Sequence, residues 1–572
     1  MAFSPTPEQE EVIEGELGPQ CVMACPGSGK TVTAVRRLLK VRRDLGDARG
    51  YAVLLSYSNV AVETFQREYD KLTRDVLGLS RRVLIETVDS FLTAYILRSH
   101  GARAMGARRQ PFLVNGSEAF LAGFRIFDGK YPREIKHLSV SITDDSTFEY
   151  SIRQDSTVVK VDEKVASAAI KKLGAVGAYT HELGRYWALM TLIEEPKLLG
   201  ALARRFPHII VDEAQDVGSL HGILLDALAS AGSTISLIGD PNQAIYEFAG
   251  ADGSFLRNFK GTSGVKSYSL TQNRRSVGGI VDVANLVAGT TATAVRAPGE
   301  RRNGAYYLKY DHKNVGASLA LFEAVLAASG YDHHEAAILC RGRPYVAKLT
   351  GATGDAGTGS TEYFAQAAVM RDRSGNVRAA FEHTVSGVIR LLDASPAGLR
   401  SEIVTNAEGA DAKAIRRFIW RFLRDSDRGL PSATLKAKTE WHPKLKPRVE
   451  NLLSSIEGAT SQKRLSSWRN NLTTRDLLDA PLWEADLASK SMSSVRVDTV
   501  HKAKGESIRV VMYLARTEDA NALVQGTDTE EGRIGYVAVT RAEDLLILGI
   551  PATAKAPVIA AIEGKGFKAW ES

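Results

Sequence analysis

Over 572 residues, 73 Lys and Arg against 66 Asp and Glu leave a formal charge of +7, with 44% hydrophobic and 24% charged residues. That balance is ordinary for a globular protein; it excludes collagen-like, largely disordered and small disulfide-scaffold classes, and at about 150 residues per domain the length predicts three or four domains. The cysteines are Cys21, Cys25 and Cys340 with no CxxC pair, so neither a disulfide framework nor a four-cysteine metal site can be built, and a reducing cytoplasm is expected. Met1 to Glu11 holds acidic residues and no basic-then-apolar run. No stretch reaches the roughly 18 uncharged apolar residues of a membrane span, so no membrane association is expected. A pI near 9.0 suits a polyanion partner, although +7 over 62 kDa is mild.

Along the chain, short β-rich runs end in small polar turns and are followed by helical periodicity. Gln20 to Ala24, Tyr51 to Ser56, Val83 to Thr87, His208 to Asp212, Thr234 to Gly239, Ala336 to Cys340, Val495 to Thr499, Val510 to Leu514 and Leu545 to Ile550 read as strands. Strands alternating with helices predict an α/β fold with parallel sheets, and place ligands at the carboxyl ends of the strands. Two long regions, Leu92 to Phe206 and Pro344 to Ser494, read as mainly helical insertions, and the Gly/Thr-rich Thr350 to Thr361 as a mobile loop. No repeat at a fixed period is present.

After the first strand comes Ala24-Cys25-Pro26-Gly27-Ser28-Gly29-Lys30-Thr31, then apolar helical spacing at Val35, Leu38 and Leu39. This is a P-loop: its glycines let backbone N–H groups close around phosphates at a helix N-terminus, Lys30 reaches the β/γ-phosphates, and the Thr31 hydroxyl ligates magnesium. Ala24 stands where the general pattern has Gly. His208 to Asp216 is an apolar strand ending in adjacent carboxylates. Asp212 is expected to hold Mg2+ through water, and Glu213 to position or deprotonate the attacking water. ATP and Mg2+ are the implied cofactors.

With these blocks in place the chain resembles the UvrD/Rep-like helicases of superfamily 1. Thr6-Pro7-Glu8-Gln9 is similar to the Q motif, whose glutamine, here Gln9, reads adenine; Ser56 to Asn59 and Thr87 to Phe91 resemble the DNA-contacting motifs Ia and Ic. Ile238 to Phe248 is similar to motif III, Leu270 to Ser276 to motif IV, Val497 to Glu506 to motif V and Gly535 to Ala542 to motif VI. The resemblance implies two RecA-like P-loop domains, 1A over 1–91 and 207–276 and 2A over 277–343 and 495–572. It also implies a 1B-like insertion over 92–206 and a 2B-like one over 344–494. Gln243 would sense the γ-phosphate, and Arg275 and Arg541 would reach it across the cleft. Arg274 and Gly505 would lie at the nucleotide, while Tyr57, Asn59, Phe91, Tyr246, Phe248 and His501 would line the DNA.

Alternatives stand beside several of these. Tyr57, Tyr246 and Phe248 read equally as core aromatics or as platforms on which bases stack. His501 is structural or touches phosphate. His333-His334-Glu335 has ligand-capable atoms without companions and reads as a polar loop. Lys413, Arg417, Arg421 and Arg424 line one face of a helix whose other face carries Ile415, Phe418, Ile419 and Phe422; this is a solvated basic face or a duplex contact. Departures from the family pattern are Arg274 and Val32, where an aromatic and an arginine usually sandwich adenine, Lys504-Gly505-Glu506-Ser507 in motif V, Asp89 for His, and Ala249 for Arg.

The expected activity is Mg-ATP-driven translocation on single-stranded DNA with 3′ to 5′ unwinding of tailed duplex. A second expectation is an ATP-gated DNA-end sensor serving a nuclease partner, the setting of helicase-like subunits in phage-defence systems such as Gabija. It draws on the altered motif V and on a chain that ends soon after motif VI without a nuclease constellation. An RNA-directed helicase fits less well, because motif III resembles the DNA-directed branch.

Overall fold

The computed structural model describes residues 4–73, 82–114, 118–127, 132–143, 145, 147–154, 157–247, 250–350, 359–373, 376–393, 395–396, 398–404, 409–474, 477, 480–482 and 495–571. The fold is α/β, built on two six-stranded sheets. The first runs Lys266–Leu270, Gln20–Ala24, Thr234–Gly239, His208–Val211, Ala52–Ser56, Val83–Thr87. The second runs Arg496–Thr499, Ala336–Cys340, Ile508–Leu514, Ala542–Pro551, Gly304–Tyr310, Lys568–Ala569. All pairings within both are parallel. Strands covered by helices on both faces need apolar side chains on both, and Ala52–Ser56 and Ala336–Cys340 are buried at every position.

All the runs read as strands take their places. The strands that sequence reading passed over include Lys266–Leu270 at a sheet edge, where only Tyr268 and Leu270 are buried and the apolar signal is diluted. In the first sheet, Gln20–Ala24, Thr234–Gly239 and His208–Val211 are adjacent. Their carboxyl ends therefore bring the P-loop, Asp240 and Asp212 together at one edge.

Both long intervening regions stand outside the sheets that flank them. The first is helical over Glu163–Ala175, His181–Glu194 and Pro196–Arg205, but it also contains an antiparallel meander of Leu138–Ile142, Phe148–Gln154 and Thr157–Lys160. The inward alternation of Leu138 and Val140 against Tyr150 and Ile152 is its period-two signature. Its core is continuous with that of the first sheet: Leu138, Ile152 and Ile170 belong to one cluster with Cys21, Val53 and Leu55. The second region packs the helices Ser360–Asp372, Val377–Ile389, Ala410–Arg424 and His442–Ala459 around a cluster drawn from Phe364 to Leu482 alone.

In the helix Ala410–Arg424, Ile415, Ile419 and Phe422 are buried, and Lys413, Arg417, Arg421 and Arg424 are exposed. Trp420 stacks on Phe381 at 4.3 Å and 9°. The expected Thr350 to Thr361 loop falls mostly on 351–358, outside the described residues, as do Phe248 and Ala249. Among the described residues no helix is long and apolar enough to cross a membrane.

One expected DNA contact is corrected by the packing. Phe91 is 1% exposed, with its ring 4.9 Å from that of Phe206 and 5.3 Å from that of Tyr95, so no face is left for a base. A single aromatic after a strand reads the same in either role. Phe91→Ala is expected to cost about 3–5 kcal/mol of stability in urea unfolding, with no loss of DNA affinity in the protein that remains folded.

Candidate active site

Gly27 and Gly29 take φ of +71° and +80°, the left-handed region in which a Cβ is strained, and Gly29 caps the helix Lys30–Asp44. Lys30 and Thr31 open that helix, half-buried. A Cβ on Gly27 would lie 2.5 Å from Arg275 Cβ and 2.6 Å from Asn273 Oδ1, so motif IV rests directly on the phosphate loop. Ser28 is buried, and its carbonyl accepts from Gln9 Nε2 at 2.8 Å. Gln9 Oε1 in turn accepts from Thr6 N–H in a capping box, so the glutamine expected to read adenine also fastens the first helix to the P-loop.

The carboxylates are set by burial. Asp212, 3% exposed, is pushed up to about 8 by burial and then by the Glu213 carboxylate, with Lys30 opposing. Burial pushes Asp240 up to about 6, again against Lys30. Glu213 is also desolvated, yet Lys30 and then Lys504 hold it below the usual range. The two adjacent carboxyls are thus driven in opposite directions, Asp212 up by burial and Glu213 down by Lys30 and Lys504. Glu213 itself sits at φ +53°, and its Oε2 accepts from Gln215 Nε2 at 2.5 Å.

Arg275 and Arg541 converge on this edge. Arg541, 1% exposed, donates to Gln243 Oε1 at 3.3 Å, Glu506 O at 3.1 Å and Val537 O at 3.2 Å; Arg275 donates to Thr540 O at 3.1 Å. Among the described residues these guanidiniums bond only neutral oxygens. Burial, and then the Arg275 charge, lower Arg541 to about 9. A buried and a half-buried guanidinium, neither hydrogen-bonded to a carboxylate, leave donors suited to an anion, with Glu213 and Asp240 offsetting their charge only at longer range. Asp212 Oδ1 and Gln243 Nε2 are likewise buried without a hydrogen-bond partner among the described residues. A magnesium–triphosphate fits this set of orphaned acceptor, donor and cations. No group of three or more His, Cys, Asp or Glu among the described residues could hold a metal unaided, so Asp212 and Thr31 would share the ion with phosphate oxygens.

Other expected contacts are redistributed. Arg274 is exposed and donates to Ser4 O at 3.2 Å, beside the Gln9 helix. Gly505 is exposed at φ +88°, and Glu506 is ion-paired with Arg496 at 2.5 Å. Asn59 is exposed at the start of the helix Asn59–Thr73. Tyr57 is half-buried with its hydroxyl 3.4 Å from His221 Nδ1, while His221 Nε2 lies 3.2 Å from Asp89. Facing that carboxylate, Nε2 carries the proton, which leaves Nδ1 to accept from Tyr57. Burial works against ionised Asp89, but His181, His221 and Arg185 hold it far below its ordinary range. The Asp in place of a usual His thus ties the first insertion, through Arg185, to the Tyr57 ring. His501 is half-buried with Nε2 3.1 Å from Ile245 O, which joins motif V to motif III. Tyr246 is half-buried and lies under Lys504 Nζ at 4.6 Å. His333–Glu335 forms a capped turn, and Glu335 pairs with Arg301 at 2.8 Å.

Sequence reading missed the roles of Asn273, Asp216, Lys504 and Glu8. Glu8 Oε2 accepts from Thr271 N–H at 2.8 Å. Lys504 Nζ reaches both oxygens of Asp216, at 2.6 and 2.7 Å, across 288 residues of chain. No local signal marks such pairs, although Asp216 and Lys504 each lie inside a motif.

Burial raises Asp216 from 3.8 to about 6 although Lys504 opposes it. A raised carboxyl pKa means the folded chain holds this proton more tightly. The associated stability is therefore present below about pH 4 and lost as pH rises through about 6. Asp216→Asn leaves the buried Lys504 ammonium without its partner and should lower the melting temperature, but the difference from the unsubstituted chain should shrink as pH rises from about 4 to about 6. A difference constant with pH would show an unperturbed carboxyl.

The family model for the UvrD/REP helicase N-terminal domain matches residues 5–263, and that for the UvrD-like helicase C-terminal domain matches residues 402–551. The ATP-dependent DNA helicase PcrA of Leuconostoc citreum is 26% identical over 291 residues, 49% of this chain and 38% of PcrA. The ATP-dependent DNA helicase UvrD2 of Mycobacterium tuberculosis is 25% identical over 379 residues, 58% of this chain and 51% of UvrD2. UvrD1 of the same organism is 24% identical over 312 residues, 50% of this chain and 39% of UvrD1. The chain thus matches about half or less of each of these relatives. With both family models aligned in order over a cleft built from the residues above, the chain belongs to the UvrD-like helicases of superfamily 1.

Proposed function

We propose that this chain is a magnesium-dependent ATPase that moves 3′ to 5′ on single-stranded DNA and unwinds tailed duplex. The observation that carries the reading is the pair Arg541, buried, and Arg275, half-buried, beside the P-loop with no carboxylate hydrogen-bonded to either guanidinium among the described residues. Relatives named as ATP-dependent DNA helicases supply the substrate class.

In this reading Lys30 and the P-loop N–H groups bind phosphate. Glu213, kept ionised by Lys30 and Lys504, orients water and takes its proton at a carboxylate oxygen. Arg275 and Arg541 stabilise the charge that develops on the transferred group. Magnesium would neutralise phosphate oxygens from a position held by Thr31 and Asp212. Gln243 meets Arg541 through Oε1 and keeps Nε2 for the phosphate side, so loss of γ-phosphate is felt three residues on, at Tyr246. We propose the boundaries 1–91, 92–206, 207–276, 277–343, 344–494 and 495–572 as the units of this motor, in soluble cytoplasm.

A second reading, an ATP-gated sensor of DNA ends acting with a nuclease partner, draws on motif V. Glu506 is engaged by Arg496 at 2.5 Å, so the acidic group of that motif is committed away from the nucleotide. A place in phage defence belongs to this reading.

Lys30→Ala and Glu213→Gln should each reduce DNA-stimulated turnover on the order of a hundredfold or more. ATP binding should weaken in Lys30→Ala and persist in Glu213→Gln. Tyr246→Ala should keep turnover at saturating DNA and weaken single-strand binding by about 1–3 kcal/mol. Strand displacement from 3′-tailed duplex by the unsubstituted chain separates motor from sensor, and its absence at every tail polarity would favour the sensor.

A further inference from the structure

The segment from Asn242 to Glu247 belongs by sequence to the first sheet domain, where Gln243 N–H donates to Asp240 O at 2.9 Å and Tyr246 O accepts from Ala251 N–H at 3.2 Å, yet its side-chain bonds run mainly to the second. Thr527 Oγ1 donates to Asn242 Oδ1 at 2.8 Å, Arg541 to Gln243, and His501 meets Ile245 O. Arg533 lies on the helix Glu530–Val539, about two turns before Arg541, and is 4% exposed. Its Nε donates to Ala244 O at 2.6 Å and its Nη2 to Glu247 Oε2 at 2.5 Å, while Nη1 donates to Thr527 O and Asp528 O, both at 3.2 Å. One planar fork therefore closes on the segment at two points and on its own domain at two more.

We propose that Arg533 is a coupling residue: it clamps the segment that carries Tyr246 to the second sheet domain, so that this segment moves with that domain when the cleft opens and closes. The inference rests on the motor reading, in which Tyr246 faces DNA. Its physical basis is the asymmetry of the two ends of the clamp. Arg533 is 5% exposed at its side chain and Glu247 is 51% exposed, so the carboxylate end is the releasable one. Gly250 and Gly253, at φ +76° and +79°, supply turns through which the segment rejoins the first domain. Arg533 touches no reacting atom; it acts through Ala244 and Glu247.

The test uses the full chain with Glu247→Gln, Arg533→Lys and the double substitution. Hydrogen exchange at the 242–247 amides should accelerate about tenfold in both single variants, with the P-loop amides unmoved. Single-stranded DNA stimulation of ATPase should fall about tenfold in both, and the double variant should be no worse than Arg533→Lys, since the two groups form one contact. Glu247→Gln should keep its melting temperature and DNA-free turnover, which a purely structural role of the pair would not allow. Should Arg533→Lys fold poorly, Glu247→Gln alone decides. Unchanged exchange at 242–247, or additive losses in the double variant, would overturn the clamp. An unsubstituted chain unresponsive to DNA would instead overturn the motor reading, with the exchange measurement still judging the clamp.

Discussion

A buried guanidinium beside a half-buried one, neither bonded to a carboxylate, is the constraint around which this protein is arranged. Arg541 is nearly fully buried and depressed to about 9, and its neighbour in charge is Arg275. Placing them there costs desolvation and mutual repulsion, which the nearby carboxylates of Glu213 and Asp240 offset only in part, since Arg541 stays depressed. The remainder of the cleft is consistent with that debt being settled by a phosphate chain. Lys30 adds a third cation, and among the described residues Asp212 Oδ1 makes no hydrogen bond to the arginines.

The same economy explains how two sheets can meet at a reactive edge. Residues on strand ends are positioned by ladders that tolerate little displacement, whereas the polar contacts between the domains range from buried, as Lys504 with Asp216, to half-exposed, as Arg533 with Glu247. Lys504 with Asp216 ties motif V to the first sheet domain, Arg496 with Glu506 braces the same motif within the second, and Ile245 is a buried apolar contribution that crosses. Polar seams of this kind separate and re-form more readily than packed hydrocarbon.

What the sequence discloses is what is contiguous in it. The P-loop and the Asp212-Glu213 pair were legible because strand, turn and helix start fall within a few residues and each residue type has one chemical reason to be there. The apolar strands were legible because burial on both faces leaves continuous hydrocarbon runs. The edge strand at Lys266–Leu270 and the meander at Leu138–Lys160 were passed over because half of their side chains face water. Phe91 was misread as a DNA contact, since only the rings of Tyr95 and Phe206 reveal its burial. The Asp89–Arg185 tie joins residues 96 apart, and nothing local announces it.

The two insertions differ in where their hydrocarbon ends. The first shares a core with Cys21, Val53 and Leu55 of the ATP-bearing sheet, so a cavity opened beside Ile170 or Leu138 is felt at the strands that hold the P-loop. The second encloses its own cluster, Phe364 to Leu482. Sequence drift there, including drift of the basic helix and its Phe381–Trp420 stack, is thermodynamically insulated from the cleft. Evolution can therefore refit that module to a new surface while the cleft between the sheets stays as it is, a freedom that the first insertion lacks.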